Sequence, residues 1–70
     1  MITVQTTIKD FRTQLGVIRE KKGISQTDLS RYTGLTLSYI QAIESGADEP
    51  ELETLIALAD TLEIEIKGLV

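Results

Sequence analysis

Seventy residues, 41% hydrophobic and 26% charged, make ordinary globular material with room for one small domain, and exclude wholesale disorder or a collagen-like repeat. Cysteine and histidine are both absent, which removes disulfides, thiolate zinc sites and the usual general base, and suits a reducing cytosol. A formal net charge of -4 argues at first sight against a polyanionic partner, because phosphate binding relies on Lys and Arg.

In chain order, MITV alternates in the manner of a strand but is short. Ile8, Phe11, Leu15 and Ile18 then recur at spacings of three, four and three, which predicts a first helix from about Ile8 to Lys21, ended by Gly23. Thr7 and Asp10 resemble a capping box at its start. Ser25 and Asp28 make a second such box, opening a short second helix through Tyr32 with Leu29 facing inward. Gly34 can supply a left-handed turn, and Thr36 can cap a third helix that carries Ile40 and Ile43 on one face and ends at Gly46. Two short helices joined by a tight glycine turn make a helix-turn-helix.

The ADEP stretch, Ala47 to Pro50, reads as a turn, with Pro50 placed to open a fourth helix. Leu52, Leu55, Ile56, Leu58, Ala59 and Leu62 give that helix a broad apolar stripe. The period then changes. Leu62, Ile64 and Ile66 alternate with Glu63, Glu65 and Lys67, the pattern of a half-buried strand. A lone strand leaves its backbone groups unpaired, so this one needs a partner from the N-terminal residues or from a second copy.

Charge is divided unevenly. Residues 1–43 hold six basic against three acidic side chains, a formal +3, and residues 44–70 hold Lys67 against eight carboxylates, a formal -7. The two halves differ as a mildly basic front and an acidic back. No apolar run approaches the roughly 20 residues of a bilayer span, and MITVQTTIKD lacks a charged segment followed by an apolar one. A cytoplasmic protein without membrane contact is expected. A chain this small without covalent staples commonly gains stability by pairing, so a homodimer is expected as well.

The stretch ISQTDLSRYTGLTLSYIQAIESG, Ile24 to Gly46, followed by Pro50 and LETLIALADTL, resembles the Cro/C1-type, or XRE-like, helix-turn-helix family. The marks are Ser25-Gln26 opening the second helix, the Gly34 turn, Ile40/Ile43-Glu44-x-Gly46 closing the third, and Pro50-x-Leu52-Glu53-Thr54-Leu55. The resemblance covers roughly Ile8 to Leu62. It implies a single all-α, lambda-repressor-like bundle of four to five helices over residues 1–70, with the helix-turn-helix at about 25–45. The strand-like end, about 63–69, is similar to the HipB-like branch, in which such strands serve dimerisation and many members are antitoxins.

The resemblance also implies roles. Gln26 would donate to a DNA phosphate, and Thr36, Leu37, Ser38, Tyr39, Gln41 and Ala42 would face the major groove while Ile40 and Ile43 stay in the core. Gln41 can pair with adenine, Ser38 can bond to more than one base, and Leu37 or Ala42 can pack on a thymine methyl. Ser45 and Tyr39 are further candidate phosphate donors, and Arg31, Lys21 and Lys22 supply flanking charge. Arg19 and Glu44 are implied to form a structural ion pair. The chain departs from the family at Leu37, where members commonly carry a long polar or basic side chain.

The functional expectation is a sequence-specific regulator, a dimeric repressor acting on double-stranded DNA at a palindromic operator. The competing readings are the DNA-binding antitoxin of a toxin-antitoxin pair, and an interaction module that keeps the scaffold without binding DNA. No metal-ligand cluster, cofactor motif or glycine-rich phosphate loop is present, so an enzyme is the least expected class. The acidic run Asp48, Glu49, Glu51 and Glu53 lacks the spacing and turn glycine of a calcium loop.

Overall fold

The computed structural model describes residues 4–67. Three helix starts in it are made by hydroxyl side chains. Thr7 Oγ1 accepts from the Asp10 N–H at 3.1 Å, Ser25 Oγ from Asp28 at 3.0 Å and Thr36 Oγ1 from Tyr39 at 3.2 Å. Each such cap offsets an otherwise unsatisfied backbone donor and is worth about 1 kcal/mol. The elements run β1 (Val4–Thr7), α1 (Ile8–Thr13), α2 (Leu15–Lys21), α3 (Gln26–Thr33), α4 (Leu37–Ser45), α5 (Leu52–Thr61) and β2 (Ile64–Lys67).

The first expected helix is two. Gln14, at φ -111° and ψ 20°, interrupts the run from Ile8 to Lys21. The bonds from Gln14 N–H to Asp10 and from Ile18 N–H to Gln14 persist at 2.9 Å, so the interruption is a bend at a single residue. Just before it, the Thr13 hydroxyl donates back to the Lys9 carbonyl at 2.8 Å, a type of bond that often accompanies helix bending. Phe11 and Leu15, on either side of the bend, are both fully buried.

The turn between α3 and α4 has the expected left-handed glycine, Gly34 at φ 78°, whose N–H bonds to Ser30 O at 2.9 Å. Side chains tighten it further. Thr33 Oγ1 donates to Leu29 O at 2.7 Å and accepts from the Leu35 N–H at 3.2 Å, and Ser30 Oγ donates to Leu35 O. These contacts fix the angle at which α4 leaves α3.

Pro50 does not open the fourth expected helix. It is buried just before the cap residue Glu51, and α5 begins at Leu52. The apolar stripe of α5 is also narrower than its sequence suggests. Leu55, Leu58, Ala59 and Leu62 are buried, whereas Leu52 and Ile56 remain 49% and 37% exposed, because they lie at the edge of the arc that meets the core. Glu63, at φ 56°, turns the chain from α5 into β2.

β2 pairs with β1 of the same chain in a two-stranded parallel sheet, in the register Val4↔Ile64 to Thr7↔Lys67. The long helical connection between the strands is what allows the parallel sense, which a tight turn could not. Of the N-terminal MITV pattern only Val4 falls in the strand, and Met1 to Thr3 lie outside the described residues, as do positions 68 and 69 of the expected C-terminal strand. The core gathers Phe11, Leu15, Leu29, Ile40, Ile43, Leu55, Leu58, Ala59, Leu62 and Ile64 from every helix except α2's outer face and from β2. Each large side chain buried there contributes about 1.5–3 kcal/mol, so α3 and α4 are anchored by Leu29, Ile40 and Ile43.

Candidate nucleic-acid interface

With Ile40 and Ile43 turned into the core, helical geometry leaves the opposite side of α4 to the surface. Thr36, Leu37, Ser38, Gln41 and Ser45 are exposed there, and Ala42 is half-buried. Tyr39 differs from the groove-facing expectation. It is half-buried and packs against the core, because it lies next to Ile40 and Ile43 on the inward edge of the helix. The Ser45 hydroxyl also differs from a free phosphate donor, since it donates back to Ala42 O at 3.1 Å. Thr36 uses its oxygen as the α4 cap.

The first N–H groups of α3 and α4 carry partial positive charge and lack partners within their helices, which makes both helix starts hospitable to anions. Lys21 and Lys22, at the end of α2, and Arg31, in the last turn of α3, are all exposed. Arg31 is only loosely tied to Asp28, at 4.0 Å between largely exposed groups, so the guanidinium can exchange that contact for a phosphate at little cost.

Beneath this face is a polar brace. Arg19 Nε donates to Glu44 Oε2 at 2.7 Å and its Nη2 to Oε1 at 3.2 Å, a two-pronged pair joining α2 to the end of α4. Arg19 Nη1 also donates to Ile24 O at 2.8 Å, which fixes the approach to α3. Arg19 is 8% exposed, and the hydrogen bond to Glu44, opposing the cost of burial, holds its guanidinium above the ordinary arginine range. Its charge therefore persists at every working pH.

Gln26 belongs to the same brace. Its Nε2 donates to Glu44 Oε1 at 3.0 Å, and its own carbonyl oxygen accepts from Gln41 Nε2 at 3.4 Å. The expected phosphate donor is half-buried, with one N–H already committed and one left to offer. Gly16 completes the arrangement in a way the residue pattern alone did not reveal. A Cβ there would come within 2.8 Å of Glu44 Oε1, so α2 and α4 approach as closely as they do because that position has no side chain. The signal was a glycine three residues before Arg19 in a helix interior, where it otherwise costs stability.

On another side, an open groove of ≈ 340 Å³ lies where α1 and α4 end, lined by Arg12, Thr13, Ile43, Glu44, Ser45, Gly46, Asp48 and Glu49. Three carboxylates against one guanidinium make it a poor site for an anion. Arg12 is itself engaged with Glu49 at 3.9 Å. Among the described residues no group of His, Cys, Asp and Glu could hold a metal ion, and no helix is long and apolar enough to cross a membrane.

A family model described as helix-turn-helix matches residues 15–69, from the start of α2 to beyond β2. The chain belongs to the Cro/C1-type helix-turn-helix family. Within this DNA-binding family, α3 and α4 are the helix-turn-helix pair. The chain is also similar to the "Uncharacterized HTH-type transcriptional regulator y4dL" of Sinorhizobium fredii (strain NBRC 101917 / NGR234), 45% identical over 53 residues. That match covers 76% of this chain and 27% of the relative, so the chain spans about a quarter of the relative's length. No solved structure matches the chain.

Proposed function

We propose that this protein is a sequence-specific double-stranded DNA-binding transcriptional regulator that acts as a dimeric repressor on a palindromic operator. The observation that carries the reading is the exposed, uncharged face of α4, Leu37, Ser38 and Gln41, set on a brace that fixes its angle to α3. Such a face supplies hydrogen bonds and methyl contacts to base edges, and the two helix starts with Arg31, Lys21 and Lys22 supply the phosphate contacts. Few cations per protomer give modest affinity. Pairing two copies on half-sites about 34 Å apart multiplies it, which is the reason to expect a dimer. A repressor needs no more than occupancy of a promoter.

The same reading accommodates an antitoxin, and one observation favours a protein partner of basic character. Glu51, Glu53, Asp60, Glu63 and Glu65 are all exposed on α5 and its flanks. Fluorescence anisotropy with random and promoter-derived duplexes at low and moderate salt tests the main proposal. A regulator binds selected fragments more tightly than random ones; absence of duplex binding even at low salt leaves the interaction module as the better account.

A further inference from the structure

Leu52 and Ile56 follow the apolar period that buries Leu55, Leu58, Ala59 and Leu62, yet both are exposed on the flank of α5. About one helical turn separates them, so they make a single apolar ridge and not two scattered side chains. The ridge is bordered by acid. Glu53 and Asp60 stand three residues before Ile56 and four after it, the spacings that bring side chains together on a helix, and Glu63 follows at the helix end. All three carboxylates are exposed, and among the described side chains none has a basic partner. α5 itself is held by α1, α3 and β2, so the ridge is presented on a fixed element and not on a loop.

The charge decides what fits. A twofold pairing of two copies through this ridge sets the same face against itself. From Glu44 to Ile66 the sequence has no Lys or Arg, so each copy would bring carboxylates to the other's carboxylates. A nucleic-acid backbone is repelled for the same reason. An apolar ridge with residues one turn apart is matched by another helix, whose side chains recur at the same interval. We propose that the ridge of Leu52 and Ile56 docks an amphipathic helix of a partner protein, aliphatic where it meets the ridge and lined by Lys or Arg at its borders. This rests on the reading of a basic protein partner given above and names its surface. Lysine and arginine suit the borders, because their stems cover apolar surface while their charged ends reach Glu53 and Asp60.

The test titrates three synthetic peptides into the isotope-labelled full chain, followed by amide NMR: an amphipathic helix of leucine and lysine, its twin with glutamate for lysine, and a lysine peptide with serine for leucine. The leucine-lysine helix should move the amides from Leu52 to Glu63 and bind at least about tenfold more tightly than the other two. Leu52→Ser with Ile56→Ser, and separately Glu53→Gln with Asp60→Asn, each confirmed folded by circular dichroism, should each weaken it by a similar factor. Equal binding of both lysine peptides, or shifts centred on the groove of Arg12 and Glu49, overturns the proposal and leaves the basic-partner reading standing. No binding by either lysine peptide overturns both. Sedimentation in which Leu52→Ser with Ile56→Ser splits a wild-type dimer also overturns the proposal, since a second copy then covers the ridge. Duplex binding by these variants should equal that of wild type, and its loss would put α5 against DNA and overturn the proposal.

Discussion

Replacing Glu44 with alanine should destabilise the domain more than any other polar substitution. It removes both bonds from Arg19 and the one from Gln26, leaving the guanidinium with the Ile24 carbonyl and the peripheral Glu20 carboxylate at 3.6 Å. Orphaning one member of a buried pair costs about 3–5 kcal/mol, and since both side chains keep roughly a tenth of their exposure the lower end, about 3 kcal/mol, applies here. A domain of this size has on the order of 3–5 kcal/mol in total. The melting temperature should therefore fall by about 12–24 °C, at roughly 4–8 °C per kcal/mol. Circular dichroism at 222 nm followed through thermal unfolding measures it. Arg19→Met combined with Glu44→Leu should lose less than Glu44→Ala alone, because no charge is left without a partner. The raised Arg19 pKa adds a pH condition: the pair's contribution is complete below the free-arginine value and fades only above the folded one. The gap between wild type and Glu44→Ala should hold from pH 7 to pH 10. A Glu44→Ala melting temperature within about 3 °C of wild type would refute the reasoning, since at this size it means less than ~1 kcal/mol.

Gly16→Ala sets about 1 kcal/mol of helix propensity against a 2.8 Å contact with a carboxylate that Arg19 and Gln26 hold in place. It should lower the melting temperature in the wild type and raise it in the Glu44→Ala background, and a rise in both would show that the contact is harmless. Glu63→Gly should stabilise by about 1 kcal/mol in chemical denaturation, because Glu63 occupies a left-handed conformation at φ 56°. An unchanged or lowered midpoint would show that the Glu63 side chain offsets that strain. With Lys21, Lys22 and Arg31 as the phosphate-neutralising groups, the slope of log K against log salt should be about -3 per protomer on duplex DNA. A slope twice as steep would point to basic contacts beyond these three.

The local elements were legible because their signals are local. Thr7, Ser25 and Thr36 stand immediately before their helices, three residues ahead of the N–H that each caps, and Gly34 sits where a left-handed turn joins two helices. Departures arose where tertiary context decided the outcome. The bend at Gln14 has no signature in the apolar spacing, which runs through it from Phe11 to Leu15. Pro50 is compatible with the first turn of a helix and with the residue before its cap, and burial selected the latter. Leu52 and Ile56 match the apolar period, yet the α5 surface that meets the core is narrower than six apolar residues. For the site, the residue types around α4 were readable from the resemblance, but the joining of Gln26 to Glu44 and Gln41 spans 18 and 15 residues of chain and has no local signature. Tyr39 illustrates the same limit: a tyrosine beside Ile40 suits a groove or a core edge, and only packing distinguishes them.

The central claim is that the face built by the start of α3 and the outer side of α4 is the one that meets DNA. Backbone amide NMR of the protein titrated with a duplex recovered by selection tests it most directly. The account predicts shifts concentrated at Gln26 and from Thr36 to Ala42, with Arg31 and the Lys21–Lys22 pair responding and the α5 amides from Glu53 to Asp60 unmoved. Shifts centred on α5 or on the β1–β2 sheet, with the Thr36 to Ala42 amides unchanged, would contradict it.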